Sequence, residues 1–412
     1  MTEQEPRRRI RLRRDAQQWE FDRAIRDTGR VFHFQPPGGG RLPSTVRMHD
    51  MISKHIGRNA LRLEKLAAAE AAAGHGTTAL EFYYDAALAY ANAQHTVLVN
   101  NAEKALLHGA CIRCYDKVRE LAPATIEHLD IPWDGTVVSG YLHHAPGDGA
   151  APLVFYIPGC DMTKEFVPHP LYNWAHQRGM HLFAFDGPGQ GESNIRGVKL
   201  TLDNYEDAAS TALTHLLERN TVDSDSVGLY SQSFGSYWGV RFAAREPRLK
   251  ASVFSWASVC DKYHLFEEES PRYKQLFAFL TGASDEAELD RFIEQMGLED
   301  HMARISSPSL FTVGEYDPRS PLEEVYPLVD RMTVPYELWV FADQHHNVNL
   351  RGINPGAAPM WQMDCHSTAM DWICDRLAGR EMERAGQTSW LELNACGPND
   401  PATPRKRRWF ED

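Results

Sequence analysis

Between residues 153 and 341, short apolar segments alternate with longer segments that suit helices. Parallel strands need crossover connections of this length, and strands that are covered on both faces are apolar throughout. The alternation therefore predicts an α/β fold with a mostly parallel central sheet and helices on both faces. The strands predicted in this way cover residues 153–157, 181–185, 226–230, 250–256, 309–313 and 337–341.

The chain before this region has a different pattern. From about residue 50 to residue 120, alanine and leucine dominate, and Tyr83, Ala87 and Tyr90 recur at the spacing of one helix face. We expect a helical N-terminal lid subdomain over residues 46–122. Two β-prone segments then flank Asp134-Gly135, which is typical of a hairpin turn.

A second helical region interrupts the sheet pattern between residues 256 and 309. Because it follows the carboxyl end of a predicted strand, we expect it to form a helical cap over a site at that edge. The arm before the lid contains six arginines between residues 7 and 14, which we interpret as a solvated or partly ordered tail, with a binding patch as the alternative. Beyond residue 386 we expect irregular structure. The predicted divisions are an N-terminal arm (1–45), the lid (46–122), the core (123–257 and 307–380), the cap insertion (258–306) and a C-terminal tail (381–412).

Composition argues against several classes of partner. The formal net charge of −13 opposes binding to nucleic acid, which is a polyanion. The sequence has no apolar run of about 18 residues and no apolar core near its start, so we expect neither a membrane span nor a secretory signal. Among the scattered cysteines, Cys111 and Cys114 lack the second pair that zinc would need. We therefore expect a cytoplasmic protein without metal or cofactor.

A candidate nucleophile, Ser233, lies where a predicted strand meets a predicted helix. A sharp turn at such a junction exposes one hydroxyl above the sheet edge, and small residues must flank it. Gly235 supplies one small residue, but Ser231 stands where the usual pattern has glycine. Taken alone, Ser233 could equally be the N-cap of the following helix.

Candidates for the other two members of a catalytic triad follow Ser233 in the chain. Asp317 and His345 each lie just beyond a predicted strand, although Asp317 before Pro318 could also only start a turn. The order Ser, Asp, His at the carboxyl ends of strands is that of an α/β-hydrolase triad. His345 would take the proton of the serine hydroxyl, and Asp317 would orient the imidazole. The adjacent His346 is the alternative base.

The oxyanion that this chemistry forms needs two backbone donors. We expect one from the amide of Phe234 at the start of the helix, and the second from the amide of Cys160 in the loop after an early strand. Cys160 is not expected to be a nucleophile, because no histidine stands beside it in a motif. The run Asp-Gly-Pro-Gly-Gln-Gly-Glu at residues 186–192 lacks the spacing and the lysine of a nucleotide-binding loop. It predicts a tight loop beside the site.

These segments together resemble a known group of enzymes. The likeness covers residues 50–378 and resides in residues 158–165, the run 186–192, the elbow at Ser233, Asp317, and His345 with Asn349. The chain resembles the α/β-hydrolases around 2,6-dihydroxypseudooxynicotine hydrolase, the FrsA-like esterases and the fungal polyketide-shortening hydrolases. The resemblance implies a metal-free serine hydrolase with a site buried between the core and a helical lid. It also implies a homodimer.

The resemblance further implies an acidic side chain of the cap near the substrate. Glu269 is the best local match, although Glu267 and Glu268 leave the register open and a solvated acidic turn is the alternative. Members of the group cleave a C–C bond next to a ketone or act as esterases. The expected function is therefore hydrolysis of such a bond in a small aromatic or polyketide-like molecule. A general carboxylesterase, an acyltransferase or cyclase with the same triad, and a non-catalytic binding module are the alternatives.

Overall fold

The computed structural model describes residues 10, 12–15, 17, 46, 49–260, 262–348 and 364–391. The strands of this part of the chain are β1 (Ile126–Trp133), β2 (Thr136–His143), β3 (Ala151–Ile157), β4 (His181–Asp186), β5 (Val222–Gln232), β6 (Ala251–Ser255), β7 (Ser309–Gly314), β8 (Tyr336–Phe341) and β9 (Gln387–Leu391). They form one sheet in the order β1-β2-β4-β3-β5-β6-β7-β8-β9. The strands run parallel except β2, which pairs antiparallel with β1 and β4. The predicted α/β class is confirmed.

The antiparallel end of the sheet begins with the predicted hairpin. Trp133 pairs with Thr136, so Asp134 and Gly135 form a two-residue turn between β1 and β2. Both turn residues have positive φ, 45° and 71°. This is the requirement of a type I′ turn, whose twist matches that of the strands it joins. The Asp-Gly pair thus fixes the register of the hairpin.

The helices form a block before the sheet, a segment inserted into it, and layers on its faces. The N-terminal block contains a short 3₁₀ turn (His49–Met51), α1 (Ile52–Ala72), α2 (Gly76–His95) and α3 (Ala102–Leu121). Along the core follow a 3₁₀ turn (His176–Arg178), α4 (Gly191–Ile195), α5 (Asn204–Leu217) and α6 (Gly235–Ala243). The inserted segment (residues 258–306) contains a π-helical turn (His264–Glu268), α7 (Arg272–Thr281), α8 (Glu286–Ile293) and α9 (Glu299–Met302). The last helices are α10 (Leu322–Val329) and α11 (Asp364–Leu377).

The central strands are buried on both faces, which explains their continuous apolar sequence. In β3, Phe155 belongs to one apolar cluster with Leu213 of α5, whereas Tyr156 belongs to another with Ile373 of α11. Successive side chains of a strand point to opposite faces, so each face needs its own helices. The sheet is therefore the middle layer of three, and its carboxyl edge is the place where loops from several strands meet.

The N-terminal block packs on the core through aromatic side chains. Tyr115 of α3 stacks on Tyr141 of β2 with ring centroids 4.5 Å apart. The hydroxyl of Tyr84 in α2 donates to the carbonyl oxygen of Phe166 at 3.0 Å. Helix α3 begins at the N-cap Asn101, whose side chain accepts from the backbone N–H of residue 104 at 2.9 Å.

The C-terminal end of the described chain differs from expectation. Beyond residue 386 the chain was expected to be irregular, but β9 pairs parallel with β8 and adds the last strand of the sheet. In the arm, Arg13 forms exposed ion pairs with Glu286 and Asp290 of α8. Such exposed pairs contribute little stability. The other arginines of the run, apart from Arg14, and Asn349 lie outside the described residues. In the described part of the chain, every helix is too short or too polar to cross a membrane.

Candidate active site

Ser233 lies between β5, which ends at Gln232, and α6, which begins at Gly235. Its φ of 55° is in the left-handed region, which costs a residue with a side chain about 1–3 kcal/mol. The Ser233 backbone N–H donates to the carbonyl of Ser255 at 2.8 Å and so holds the turn. A Cβ at Gly235 would lie 2.5 Å from the carbonyl oxygen of Pro158, so the close approach of the two chain segments requires glycine. This is the geometry of a nucleophile elbow.

Ser231 fits at the elbow because the helix beside it has glycine at position 239. Ser231 is fully buried, and its hydroxyl donates to the carbonyl of Val253 at 3.1 Å. A Cβ at Gly239 would lie 2.5 Å from the Oγ of Ser231 and 2.8 Å from its Cβ. The small residue that the usual pattern has on the strand is therefore found on the helix.

Three polar side chains form a continuous hydrogen-bonded chain at the carboxyl ends of β5, β7 and β8. The Oγ of Ser233 lies 2.7 Å from Nε2 of His346, and Nδ1 of His346 lies 2.7 Å from Oδ2 of Asp317. Asp317 and His346 are buried, while Ser233 is half-buried. Such an arrangement can take a proton from the hydroxyl and stabilise the imidazolium that results.

The histidine beside Ser233 is His346, so the placement of His345 there is corrected. His345 is exposed, and its Nδ1 lies 2.9 Å from the carbonyl oxygen of Tyr316. The loop after β8 turns at Asp343, with φ 58°, and then passes over β7. It passes so closely that a Cβ at Gly314 would lie 2.0 Å from the carbonyl oxygen of His345. This contact between distant residues fixes the backbone with His345 outward and the next residue inward, and no local sequence signal distinguishes the two.

The electrostatic surroundings of Asp317 keep it ionised. Burial acts to raise the pKa of this carboxyl, but the attraction and hydrogen bond of His346, and then the charge of Arg319, outweigh it and hold the pKa below its usual value. The backbone N–H of Arg319 also donates to Oδ1 of Asp317 at 2.9 Å. An ionised Asp317 accepts from Nδ1 of His346, which leaves Nε2 free to accept from the serine.

The loop after β3 lies directly against the elbow. A Cβ at Gly159 would be 3.2 Å from the Cβ of Ser233. The next residue, Cys160, and the residue that follows the serine, Phe234, are both buried beside it. Burial, together with the charge of Asp161, raises the pKa of the Cys160 thiol. A raised pKa favours the protonated thiol, which is a poor nucleophile.

Glu269 lies in the inserted segment and is joined to the loop that carries Asp317. Its Oε1 lies 3.2 Å from Nε of Arg319 in a largely buried ion pair. The Arg319 guanidinium also lies over the ring of Tyr273, 4.9 Å from the centroid. Arg319 was not among the residues predicted from the sequence. Its position two residues after Asp317 was the available signal, but its partners lie about fifty residues earlier in the chain.

The sheet order and the elbow define an α/β-hydrolase fold. Solved structures that align with this chain share the fold. The crystal structure of 2,6-dihydroxy-pseudo-oxynicotine hydrolase aligns with a TM-score of 0.70 and 24% identity, over 89% of this chain and 98% of that one. A structure of AbyA5 aligns with a TM-score of 0.61 and 17% identity, over 89% and 95%. At these identities the two structures show the fold alone.

Residues 57–278, more than half of the chain, match the family described as "Esterase FrsA-like", and the chain belongs to this family. It is similar to the 2,6-dihydropseudooxynicotine hydrolase of Paenarthrobacter nicotinovorans, with 28% identity over 77% of this chain and 83% of the relative. The 20-hydroxy-prefusarin hydrolase of Gibberella moniliformis is 30% identical over 35% of this chain and 36% of its own length. The esterase FrsA of Escherichia fergusonii is 29% identical over 52% and 53%. The protein is a hydrolase, and the resemblance seen in the sequence is confirmed.

Proposed function

We propose that the chain is a serine hydrolase in which Ser233, His346 and Asp317 cleave a C–C bond next to a ketone, or an ester bond, in a small molecule. The observation that carries the proposal is the unbroken chain of two 2.7 Å hydrogen bonds from Ser233 through His346 to Asp317. It begins at a strained elbow that holds the hydroxyl at the carboxyl edge of the sheet. A binding module has no need of such strain.

The reaction follows from these positions. As Oγ of Ser233 attacks the carbonyl carbon, Nε2 of His346 takes its proton, and Asp317 stabilises the imidazolium. The amides of Phe234 and Cys160 donate to the oxyanion. Collapse expels an alkoxide or a carbanion equivalent, which takes the proton from His346, and water activated by the same imidazole then releases a carboxylic acid. Cleavage of a C–C bond requires a stabilised carbanion, so that substrate would carry an electron sink such as a phenol ring or a β-carbonyl group.

The names of two relatives support a small substrate of aromatic or polyketide type. Relatives of this chain are named for a pseudooxynicotine and for a prefusarin. We propose that the N-terminal block and the inserted segment act as lid and cap. Glu269 would face the substrate from the inserted segment, with its charge balanced by Arg319. A homodimer in the cytoplasm stays a prediction.

Labelling with a fluorophosphonate probe tests the nucleophile. We expect the wild-type protein to be labelled at Ser233, and Ser233→Ala and His346→Ala to lose labelling. His345→Ala is the matched control, because it removes the same side chain one residue away and should keep near wild-type labelling. Labelling that survives in Ser233→Ala, or that is lost only in His345→Ala, would contradict the assignment.

Substrate panels separate the two bond types. Turnover of β-diketones or acylphenols well above that of nitrophenyl esters favours C–C cleavage. Comparable or higher turnover of the simple esters favours a carboxylesterase, which the family description also supports.

A further inference from the structure

The glycine-rich run 186–192 contacts the loop that follows β3. The proposed mechanism places this loop beside the oxyanion. We define residues 159–163 as the oxyanion loop, because the proposed mechanism uses its Cys160 amide as a donor. The run supplies one fully enclosed amide side chain to this loop, that of Gln190. Two carbonyl oxygens of the loop accept from Nε2 of Gln190: that of Gly159 at 2.8 Å and that of Met162 at 3.4 Å.

The contact with Gly159 determines the direction of the Cys160 amide. The carbonyl of Gly159 and the N–H of Cys160 belong to one planar peptide unit, in which they point in opposite directions. A donor that holds this carbonyl therefore also holds the N–H on the opposite side. Without the donor, the peptide could tilt away from the position where the oxyanion forms.

Tyr205 in α5 fixes which way the Gln190 amide faces. Its hydroxyl donates to Oε1 of Gln190 at 2.6 Å, so the NH₂ group must face the loop. Gly187 makes room for this tyrosine, because a Cβ there would lie 2.4 Å from the Tyr205 ring. This gives a physical reason for the second residue of the run as well as for the fifth.

The same tyrosine is connected to the second donor. Its ring stacks on Trp238 of α6, with centroids 4.3 Å apart and planes 5° apart. Trp238 in turn packs edge-on against Phe234 at 5.1 Å. The buried side chains of Gln190, Tyr205 and Trp238 thus contact both the oxyanion loop and Phe234, the residue that follows Ser233.

We propose that Gln190, oriented by Tyr205, is a positioning residue that aligns the Cys160 amide for oxyanion stabilisation. This inference rests on the proposed function, since it assumes that Ser233 attacks a carbonyl between the two amides. The residue directly after the oxyanion loop is held in a related way. The backbone N–H of Lys164 donates to Oδ1 of Asp186, the first residue of the run, at 2.8 Å.

The test compares Gln190→Met with the wild-type protein. Methionine has a similar length but cannot donate to the Gly159 carbonyl. Complete removal of an oxyanion donor lowers kcat by about 10²–10³-fold, so a donor that is present but loosely held should cost about tenfold to a hundredfold. We expect this fall in kcat for a nitrophenyl ester with little change in KM. Affinity for a phenyl trifluoromethyl ketone, whose adduct with Ser233 carries the same oxyanion, should fall by a similar factor.

Two further variants separate positioning from a loss of stability. Tyr205→Phe should lower kcat and ketone affinity in the same direction by a smaller factor, because Gln190 keeps its donor but loses its orientation. Tyr336→Phe is the matched control, since it also removes one buried tyrosine hydroxyl, bonded at 3.0 Å to Oδ1 of Asp330 away from the oxyanion loop. It should lower the Tm by a comparable amount and leave kcat and ketone affinity unchanged.

The outcomes distinguish this inference from the proposed function. Wild-type protein that neither reacts with a fluorophosphonate nor hydrolyses esters would refute the proposed function itself. Active wild-type protein together with a folded Gln190→Met variant of unchanged kcat and ketone affinity would overturn only the role of Gln190. If Gln190→Met does not fold, Tyr205→Phe decides: unchanged kcat and ketone affinity in that variant also overturn the role.

Discussion

Ser231 and Gly239 lie in close contact at the elbow, so we expect substitutions at these two positions to be energetically coupled. Adding one methyl group by Gly239→Ala places a Cβ 2.5 Å from the Oγ of Ser231 and 2.8 Å from its Cβ. The second distance involves an atom next to the backbone, which cannot move away by side-chain rotation alone. Overpacking of this kind typically costs about 1–3 kcal/mol.

The helix itself works in the opposite direction. Alanine in a helix interior is more favourable than glycine by about 1 kcal/mol. In the wild-type chain, the clash and this gain leave a net destabilisation of about 1 kcal/mol for Gly239→Ala. In a Ser231→Gly background the clash is removed, so the same substitution should stabilise the protein by about 1 kcal/mol. The two positions should therefore be coupled by about 2 kcal/mol, which lies within the range found for residues in contact.

Urea unfolding of the four proteins in this cycle measures the coupling through linear extrapolation. Ser231→Gly alone should destabilise the protein by about 1–2 kcal/mol. It removes the hydrogen bond to Val253, and glycine increases the backbone entropy of the unfolded chain. Equal effects of Gly239→Ala in the two backgrounds would refute the idea that the helix accommodates the serine. A stabilising effect in the wild-type chain would refute it as well.

Three further predictions concern ionisable side chains that are buried. Asp317→Asn should lower kcat by about 10⁴-fold with little change in the melting temperature, and unchanged turnover would exclude Asp317 as the acid. Lys164 is fully buried between the carboxylates of Asp186 and Glu192, at 3.1 and 2.9 Å, so Lys164→Met should cost about 3–5 kcal/mol in urea unfolding. A cost below about 1 kcal/mol would contradict this prediction, because it would mean that the two buried carboxylates do not need the charge of the lysine. Burial lowers the pKa of His143 to about 3, whereas the unfolded chain accepts this proton near pH 6.5. The resulting stability is fully present above about pH 6.5 and is lost as the pH falls toward the folded pKa, so His143→Gln should flatten the acid limb of a stability-against-pH curve.

The fold could be predicted because its signal is local. Strands buried on both faces must be apolar throughout, and the turn at Asp134 and Gly135 requires residues that tolerate positive φ. The last strand was missed because β9 is a single short segment that follows the final helix, where no alternation with helices marks it. Its place in the sheet depends on pairing with β8, which is not visible in its own residues.

The candidate site was predictable up to the point where distant contacts decide. Ser233 and Asp317 were located by strand ends and chain order, which are properties of the sequence. The choice between His345 and His346 depends on how closely their loop passes over Gly314, about thirty residues earlier in the chain. Gln190 was part of a run that predicted only a tight loop, since its partners in the oxyanion loop are also about thirty residues away.

The ion pair between Glu269 and Arg319 connects the inserted segment electrostatically to Asp317. The backbone N–H of Arg319 contacts Asp317, and its guanidinium contacts Glu269, so one residue joins the two carboxylates. Loss of the Glu269 carboxylate would leave the guanidinium without this countercharge, and its positive field would then act more fully on Asp317. A more strongly stabilised carboxylate is a weaker partner for an imidazolium. The charge balance of the inserted segment and the ionisation of Asp317 are thus connected through the single side chain of Arg319.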